Sequence, residues 1–424
     1  MRVLAAALAA ATVAVAACAG VQTPTPAAAS AVQESAVERQ LTWLMDAVGR
    51  APLPDSELTA HFAESFLRQV PPAQINEVLK TWKDLRLDKV LFVRGTSLVA
   101  EMTLNGKKQN LELTVDGSGL ISGARMDDPP VERTPPTSWK ELDKRMRAVA
   151  PQVGFLAAEI TKGGACRPVH GIQPRTPRAL GSMFKLYVLG AAAEHIKDWK
   201  TELTIRPELK SLPSGELQNR PDNSKVTVEE AAKLMISISD NTAADLLLNK
   251  VGRKAVEAKN RQWSSTRNEP FLSTRDMFVI KGTKRVDAYL NAPDRRAFLR
   301  DVVAKVPLSD ITTWEKPTAI DTVEWFGSPK DVCRAHASLR GLADERVNQA
   351  MSTNTLAAKE LTDVWYKGGS EPGVLALGFS AKSGGRTYSV TLMASDPAAP
   401  IDENQAGSEL IALAQGAFTL ATRR

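Results

Sequence analysis

The sequence predicts an α+β protein with two domains. Three observations support this fold class: helical patterns precede strand patterns early in the chain, both kinds of pattern return later, and a proline-rich segment separates the two parts. That segment, "DDPPVERTPPTS" at 127–138, has four prolines and is typical of an interdomain linker. With 424 residues, 43% of them hydrophobic, the chain is long enough for two or three domains. We predict a first domain at 34–128, a linker at 129–139 and a second domain at 140–424.

Charge and metal-ligand spacing argue against two broad classes of function. The net charge of +6 comes from 54 basic and 48 acidic side chains, and no Lys/Arg run is interleaved with aromatic residues in the way that suits nucleic acid. The four histidines fall in no HExxH or paired spacing, and the three cysteines form no CxxC pair. The sequence therefore predicts no nucleic-acid partner, no metal site and no cofactor, and it leaves the oligomeric state open.

The N-terminus has the pattern of an export signal. Arg2 is followed by an Ala/Val/Leu-rich run that reaches Ala17, which predicts a signal peptide at 1–17 that is too short for a stable membrane span. The next residue is Cys18, and "VAAC" resembles the lipobox of bacterial lipoproteins, in which this cysteine is lipidated. The resemblance implies a lipid-anchored protein of the cell envelope, with a tether to a membrane at 18–33. The alternative is an ordinary secretory signal with an incidental cysteine.

The first domain shows three helical segments followed by strands. One helix is predicted around "VERQLTWLMDAV", one begins at Asp55, and one begins after Pro71 and Pro72, where proline suits the first turn of a helix. Asn105 and Gly106 then separate two runs of strand character, which predicts a β-hairpin. Helices followed by a curved antiparallel sheet indicate a small α+β domain.

The second domain holds a serine and a lysine in a segment with almost no other polar side chain, "GSMFKLYVLGA" at 181–191. If a helix begins near Gly181, Ser182 and Lys185 lie on the same face, because residues three apart are neighbours on a helix surface. Serine is a poor nucleophile that needs an adjacent base, and a lysine in an apolar setting can serve as that base. The pair alone is a weak signal, since matches to this spacing arise by chance.

Ser239, Asp240 and Asn241 are predicted on a turn between two helices. Thr227 and Glu230 have the spacing of a capping box, and the helix that begins there ends near the tripeptide. Polar side chains on such a turn can point into a cleft. A plain helix-cap turn is the alternative, and Asp240 is expected to serve the turn itself.

A strand at 361–370, "LTDVWYKGGS", presents Lys367 and the Gly-Gly-Ser that follows it. Glycines beside a lysine at a strand edge let a ligand lie against the backbone while the ammonium group binds a carboxylate. Two further strands, "VLALGF" and "RTYSVTLMA", flank an "AKSGG" turn. These segments predict an antiparallel sheet in the second domain.

The order of these motifs, SxxK, then SDN, then Lys-x-Gly, resembles the signature of the serine β-lactamases and penicillin-binding proteins. Residues 140–424 therefore resemble a class A β-lactamase or transpeptidase-like serine hydrolase, which implies an antiparallel sheet flanked by helices together with an all-α subdomain. The resemblance also implies a small-molecule substrate, either a β-lactam or a peptidoglycan-like compound, or a related amide or ester.

Catalytic roles follow from the resemblance. Ser182 would be the acylated nucleophile and Lys185 its base. Ser239 would relay a proton to the leaving nitrogen, and Lys367 would steady the hydroxyl network and the substrate carboxylate.

Substrate-binding roles follow in the same way. Asn241 would bind the amide side chain of the substrate, and Gly369 and Ser370 would line the strand edge against which it lies. The backbone N–H groups of Ser182 and Ser370 would form the oxyanion hole, because each donor must face the developing alkoxide.

Two matches to the Lys-x-Gly motif are present, and neither is perfect. After Lys367, Gly368 stands where Thr or Ser is usual, which removes a hydroxyl that helps to bind a substrate carboxylate. Lys382 begins a second match, "KSG", but it falls between two strands with little sheet after it. Lys367 is therefore preferred.

The resemblance offers two candidates for the base that deacylates the enzyme. Glu269 in "RNEPFLST" is a candidate catalytic base, although Ser273 replaces the usual Asn, and a surface carboxylate is the alternative. Glu324 is a second candidate that could equally be a structural partner, and residues 281–322 resemble an insertion relative to compact class A enzymes. We therefore expect acylation with weak turnover; the alternative is a penicillin-interacting binding or scaffold lipoprotein with little or no catalysis.

The two-domain layout resembles bacterial proteins that join a ketosteroid-isomerase-like domain, of the cystatin or NTF2-like type, to a β-lactamase-like one. Some of these are lipoproteins, and one belongs to a clavulanic-acid pathway. Isomerase chemistry would need a carboxylate and an oxyanion donor such as tyrosine, and residues 35–130 contain no tyrosine. A binding, docking or spacer role is therefore expected for this domain.

Cys166 and Cys333 are a candidate disulfide pair. If Cys18 is lipidated, they are the even pair that remains in an exported, disulfide-permissive compartment. Whether they bond depends on the separation of their Cα atoms, which the sequence leaves open.

Overall fold

The computed structural model describes residues 35–68, 70–94, 96–129, 133–352, 356 and 360–423. These residues form two compact units, at 35–129 and 133–423, which are divided within the predicted linker. The predicted signal peptide at 1–17, the tether at 18–33 and the lipidation site Cys18 lie outside the described residues.

The first unit consists of helices followed by a four-stranded sheet. Its elements are α1 (Ala36–Arg50), α2 (Asp55–His61), α3 (Glu64–Leu67), α4 (Pro72–Thr81), β1 (Arg86–Arg94), β2 (Ser97–Leu104), β3 (Lys107–Val115) and β4 (Ile121–Asp127). Neighbouring strands pair antiparallel in chain order. The predicted α+β class is confirmed, and α3 is a short additional helix. The likeness to a cystatin or NTF2-like domain stays a prediction.

Local signals explain where these elements begin and turn. The Ser35 hydroxyl accepts a hydrogen bond from the Glu38 N–H at 3.3 Å, and the Glu38 carboxylate accepts one from the Ser35 N–H at 2.8 Å, which is a reciprocal capping box. Asn105 and Gly106 have φ of +51° and +74°, the left-handed values that a two-residue hairpin turn requires. The helices bury their apolar faces against the sheet in one core.

The second unit is a five-stranded antiparallel sheet with helices around it. In chain order its helices and strands are α5 (Trp139–Val149), β5 (Gln152–Ile160), β6 (Cys166–Ile172), β7 (Arg178–Ala179), α6 (Lys185–His195), β8 (Glu202–Thr204), β9 (Lys225–Thr227), α7 (Val228–Ser237), α8 (Asn241–Val251), α9 (Arg253–Trp263), α10 (Thr274–Gly282), α11 (Val286–Leu290), α12 (Arg295–Asp301), β10 (Phe326–Gly327), α13 (Pro329–Gly341), α14 (Glu345–Met351), β11 (Thr362–Glu371), β12 (Val374–Ser383), β13 (Arg386–Ser395) and α15 (Glu403–Thr422). The strand order in the sheet is β11-β12-β13-β5-β6. Two short pairs, β7 with β10 and β8 with β9, lie outside it.

Alternation along β12 gives the second unit two cores. Leu375, Leu377 and Phe379 pack in the core that includes α5 and α15, whereas Ala376 packs in the core of the helices from α6 to α14. Successive side chains of a strand point to opposite faces, so the sheet separates a two-helix layer from a helical subdomain. This is the predicted antiparallel sheet flanked by helices with an all-α subdomain.

A disulfide bond joins Cys166 on β6 to Cys333 on α13, with Cα atoms 6.3 Å apart. The two residues are 167 positions apart in the chain, and β6 is an edge strand of the sheet. The bond therefore fastens that edge to a helix of the subdomain.

No helix within the described ranges has both the length and the apolar character needed to cross a membrane.

Candidate active site

Ser182 lies on a tight turn that leads into α6. Residues 181–184 form a 3-10 turn that continues directly into the helix, and we call it the 181–184 turn. Gly181 has a φ of +47°, which favours glycine, and a Cβ added to it would lie 2.8 Å from the Ser370 nitrogen. The turn therefore packs closely against the backbone of β11, while Ser182 itself stays partly exposed.

Lys185 is fully buried, and oxygen atoms surround its amine. Its Nζ lies 3.2 Å from Ser182 Oγ, 3.1 Å from Ser239 Oγ and 2.6 Å from Asn241 Oδ1. It also contacts the carbonyl oxygen of Ser239. The structure thus brings the SxxK and SDN motifs together at one nitrogen atom.

The environment of Lys185 favours its neutral form. Burial lowers the pKa of its amine to about 7, because the charged form loses its hydration, while the carboxylates of Asp240 and Asp245 act in the opposite direction. A large share of this lysine is therefore a free amine at neutral pH, which a general base must be.

Ser239 connects the two lysines of the site. It lies between α7 and α8 with a φ of +58°, a value uncommon for residues that carry a side chain. Its Oγ accepts a hydrogen bond from Lys367 Nζ at 3.0 Å and lies 3.1 Å from Lys185 Nζ. Asp240 accepts the N–H of Ala243 at 2.8 Å and caps α8, so it serves the turn.

A loop that sequence reasoning missed supports the Ser239 turn. Gly215 has a φ of +106°, and a Cβ there would lie 2.2 Å from Asp240 Cγ. The N–H of Glu216 donates to Asp240 Oδ2 at 2.7 Å, and the Ser214 hydroxyl donates to the Ser239 carbonyl oxygen at 2.7 Å. The only signal in the sequence is the turn-forming "LPSG", which does not reveal what the loop packs against.

Lys367 and Gly369 lie on the face of β11 that meets the 181–184 turn. Lys367 is 2% exposed, and burial together with the charge of Lys185 lowers its pKa well below the usual value. A Cβ on Gly369 would lie 2.5 Å from the Ser182 nitrogen, so only glycine allows this approach. The Ser182 and Ser370 N–H groups of the predicted oxyanion hole therefore belong to adjoining stretches of backbone.

A steric restriction explains why position 368 is a glycine and not the usual Thr or Ser. A Cβ there would lie 2.2 Å from the Tyr366 hydroxyl, and the Tyr366 ring packs on Phe379 with centroids 4.8 Å apart. The usual Thr or Ser would therefore require Tyr366 to move.

The two lysines that match Lys-x-Gly have different surroundings. Lys382, near the end of β12, pairs with Asp363 at 2.8 Å. Lys367 instead contacts Ser239 at 3.0 Å. Of the two lysines, Lys367 is the one that contacts a serine of the candidate site.

The Glu269 side chain pairs with Arg261 and not with the serines and lysines of the candidate site. Its carboxylate pairs with Arg261 at 2.6 Å, and its side chain is 29% exposed. The adjacent Asn268 is held firmly: its N–H donates to Asn260 Oδ1 at 3.0 Å, and its side-chain amide exchanges hydrogen bonds with the backbone of Phe326. Within the described part of the chain, no hydrogen bond of Glu269 reaches the serines and lysines of the site.

Glu324 is surrounded as a structural partner would be, which is one of the two roles that the sequence left open. It is fully buried, 3.5 Å from Lys281 Nζ, with Glu371 beside the same lysine. Sequence reasoning missed Lys281 and Glu371, because neither belongs to a motif and they are far apart in the chain.

No cluster of three or more His, Cys, Asp or Glu side chains in the described ranges is arranged to hold a metal ion.

Comparisons with known families find a match in each part of the chain. Residues 137–309 match the model described as the beta-lactamase enzyme family, and residues 32–121 match the model described as the N-terminal part of the ORF 12 gene product. No curated protein matches the sequence.

Solved structures are similar at low identity. The β-lactamase from Sphaerobacter thermophilus is 18% identical and covers 68% of this chain and 98% of its own, with a TM-score of 0.45. PBP-A is 20% identical, covers 68% of this chain and 100% of its own, and has a TM-score of 0.43. A β-lactamase from Chitinophaga pinensis is 14% identical, covers 67% of this chain and 98% of its own, and has a TM-score of 0.46.

Three observations indicate the class of the second unit: the family match, the antiparallel sheet with its helical subdomain, and the convergence of three motifs around Lys185 and Ser239. Its residues 137–309 match the beta-lactamase enzyme family, and its antiparallel sheet flanked by helices is a β-lactamase-like fold. More particularly, the chain joins this domain to an N-terminal domain of the ORF 12 type.

Proposed function

We propose that this protein is a serine hydrolase of the β-lactamase and penicillin-binding type, acylated on Ser182 by β-lactams or by related amides and esters. One observation carries the proposal: the buried Lys185 amine, with its pKa lowered to about 7, contacts the Ser182 hydroxyl at 3.2 Å. A nucleophile and a base within hydrogen-bond reach are the minimum that covalent catalysis needs.

The contacts of Lys185 suggest how its neutral form acts. A neutral amine has two N–H bonds and one lone pair, and its two closest acceptors are Asn241 Oδ1 and the Ser239 carbonyl oxygen. With both N–H bonds used there, the lone pair is left for the Ser182 hydroxyl. Lys185 then takes the proton as Oγ attacks the substrate carbonyl, and the developing alkoxide faces the N–H groups of Ser182 and Ser370.

Ser239 and Lys367 serve the departing group and the substrate. Ser239 Oγ, which both lysines contact, passes its proton to the leaving nitrogen and receives from protonated Lys185 the proton that came from Ser182. Lys367 orients that hydroxyl and attracts a substrate carboxylate. Asn241 donates one amide N–H to the Leu212 carbonyl oxygen at 3.0 Å, which leaves its second N–H for a substrate amide.

Turnover is proposed to be weak. Deacylation needs a base that holds a water near the ester carbonyl, and Glu269 is instead paired with Arg261 at 2.6 Å. The same observation supports the second candidate function, a penicillin-interacting binding or scaffold protein that acylates and scarcely turns over.

The proposed location is the cell envelope, with the chain exported and attached to a membrane through a lipid on Cys18. The disulfide bond between Cys166 and Cys333 supports export, because such bonds persist in oxidising compartments. The proposed substrates are β-lactams or peptidoglycan-like compounds.

Intact-mass measurement after mixing with a penicillin tests the function. A mass increase equal to the penicillin is expected in the native protein and not in Ser182→Ala. An adduct that disappears within minutes favours the hydrolase, and one that persists for hours favours the binding protein. An equal adduct on Ser182→Ala contradicts the assignment of the nucleophile.

A further inference from the structure

Three charged side chains outside the proposed catalytic set meet in the interior of the second unit. Lys281 lies on α10, Glu324 lies just before β10, and Glu371 is the last residue of β11. Lys281 Nζ is 2.6 Å from Glu371 Oε1 and 3.5 Å from Glu324 Oε1. The side chains of Lys281 and Glu324 are fully buried, and that of Glu371 is 8% exposed. We call these three residues the buried charge cluster.

The cluster balances its charge only if it holds a proton. One lysine faces two carboxylates, so full ionisation would leave a net negative charge in the interior, which is strongly unfavourable. Two oxygen atoms, Glu324 Oε1 and Glu371 Oε2, are buried without a hydrogen-bond partner among the described residues. The Glu324 and Glu371 carboxyl groups are within hydrogen-bond reach of each other, so a proton on one carboxyl group supplies the donor that the other lacks.

The surroundings of Glu324 indicate that it carries this proton. Lys281 is closer to Glu371 than to Glu324. Burial raises the pKa of Glu324 well above the usual value, and the negative charge of Glu371 raises it further, while Lys281 lowers it. These are the charged groups that face Glu324, from β11 and α10, and the Trp325 N–H donates to its other oxygen at 2.9 Å.

The cluster adjoins both backbones of the predicted oxyanion hole. Glu371 directly follows Ser370 in β11. Glu324 directly precedes Trp325, whose carbonyl oxygen accepts the N–H of Leu180 at 2.8 Å, one residue before the 181–184 turn. Lys281 therefore joins α10 to the end of β11 and to the segment before β10. These two segments lie next to the backbone that carries the oxyanion donors.

We propose that the buried charge cluster is a proton-dependent positioning device: with its proton it holds the end of β11, and so the Ser370 N–H, against the 181–184 turn, and without the proton it releases them. Release follows because two adjacent carboxylates repel each other when a single lysine must balance both. The inference rests on the proposed function, since the position it controls is that of an acylation donor. Lys281, Glu324 and Glu371 are positioning residues, because they do not touch the reacting atoms.

The acylation rate as a function of pH tests the proposal. With a fluorescent penicillin between pH 5.5 and 10, the native protein is expected to gain rate through about pH 7, as Lys185 becomes neutral, and to lose rate at alkaline pH, as Glu324 loses its proton. Glu324→Gln and Glu371→Gln each leave one carboxylate, one lysine and an amide donor. Each single variant should therefore keep the neutral-pH rate within about threefold and lose the alkaline fall.

A double variant tests whether Lys281 needs at least one carboxylate to balance its charge. Glu324→Gln with Glu371→Gln leaves Lys281 buried without a carboxylate, so acylation should slow by about tenfold or more at every pH, although each single change is mild. Glu202→Gln on β8 alters an exposed carboxylate and should retain the alkaline fall. If the fall persists unchanged in both single variants, its source is another group, such as Lys367, and the proposal is overturned.

A second measurement is independent of acylation. The pKa of Glu324 is higher in the folded protein than in the unfolded chain, so between these two pKa values only the folded protein holds the proton. The free energy of unfolding must therefore decrease as the pH rises from the unfolded-state pKa to the folded-state pKa. The melting temperature of Glu324→Gln minus that of the native protein should therefore increase with pH across this window. If the native protein forms no adduct, the proposed function fails, whereas a difference that is constant with pH overturns the cluster inference.

Discussion

Lys185 is buried in a position that stabilises its neutral form, which gives acylation a defined pH dependence. With a pKa of about 7, half of the amine is a base at neutral pH, against about one part in 3,000 for an ordinary lysine. The acylation rate constant should rise about tenfold per pH unit below pH 7 and reach a plateau before the alkaline fall that is attributed to Glu324. Lys185→Met should slow acylation by about 10²-fold or more and abolish this rise. Stopped-flow labelling with a fluorescent penicillin provides the measurement; a rate that is flat between pH 5 and 7 contradicts the role of Lys185.

Gly368 is the second residue whose surroundings lead to a prediction. Because a Cβ there would lie 2.2 Å from the Tyr366 hydroxyl, Gly368→Thr should destabilise the protein by about 1–3 kcal/mol, the usual result of overpacking. Thermal unfolding measures this loss. Adding Tyr366→Phe should recover part of it, since the nearest remaining ring atom, Cζ, is 2.9 Å away. Full stability in the single variant would show that the tyrosine moves freely.

At the scale of elements, the disulfide bond connects an edge strand to a helix. Cys166 on β6 and Cys333 on α13 are 167 positions apart, so their link strongly restricts the unfolded chain. Cys166→Ala with Cys333→Ala should lower the free energy of unfolding by roughly 2–5 kcal/mol, and a reductant should lower the melting temperature of the native protein but not of this variant. Equal effects of the reductant on both proteins would contradict the prediction.

The loop between α9 and α10 leads to a prediction about deacylation. It directs Glu269 toward Arg261, so Glu269→Gln should change the lifetime of the acyl adduct by less than about twofold. Time-resolved intact mass gives both rates, and Arg261→Gln is the matched variant that frees the carboxylate. A lifetime about 10²-fold longer in Glu269→Gln, with unchanged formation, would show that the loop rearranges around the adduct and that Glu269 is the base.

For the whole molecule, the parts that the sequence predicts well are those set by short-range geometry. Ser182 and Lys185 share a face because they are three residues apart, and the Asn105 hairpin follows from its own turn residues. Antiparallel pairing of the second sheet follows from alternation and from short turns. In each case a few neighbouring residues determine the result.

The parts that could not be predicted depend on contacts between distant segments. Lys281 and Glu371 are 90 positions apart, and neither belongs to a periodic pattern, so only the packing of α10 beside β11 brings them together. The direction of Glu269 likewise depends on Arg261 and on how Asn268 fastens the loop. Such contacts determine the chemistry of the site although the fold class is already clear without them.

The last prediction concerns attachment of the whole molecule to a membrane. If Cys18 is lipidated, acyl chains anchor the protein, and each buried CH₂ contributes about 0.8 kcal/mol, so that two chains suffice for stable attachment. Cys18→Ser removes the acceptor sulfur and should move the protein from the membrane fraction to the soluble one, or leave it unprocessed with residues 1–17 attached. Ser182→Ala, which alters only the proposed nucleophile, should remain with the membranes. Cell fractionation with immunoblotting and intact mass gives the result, and identical fractionation of Cys18→Ser and the native protein would favour an ordinary secretory signal.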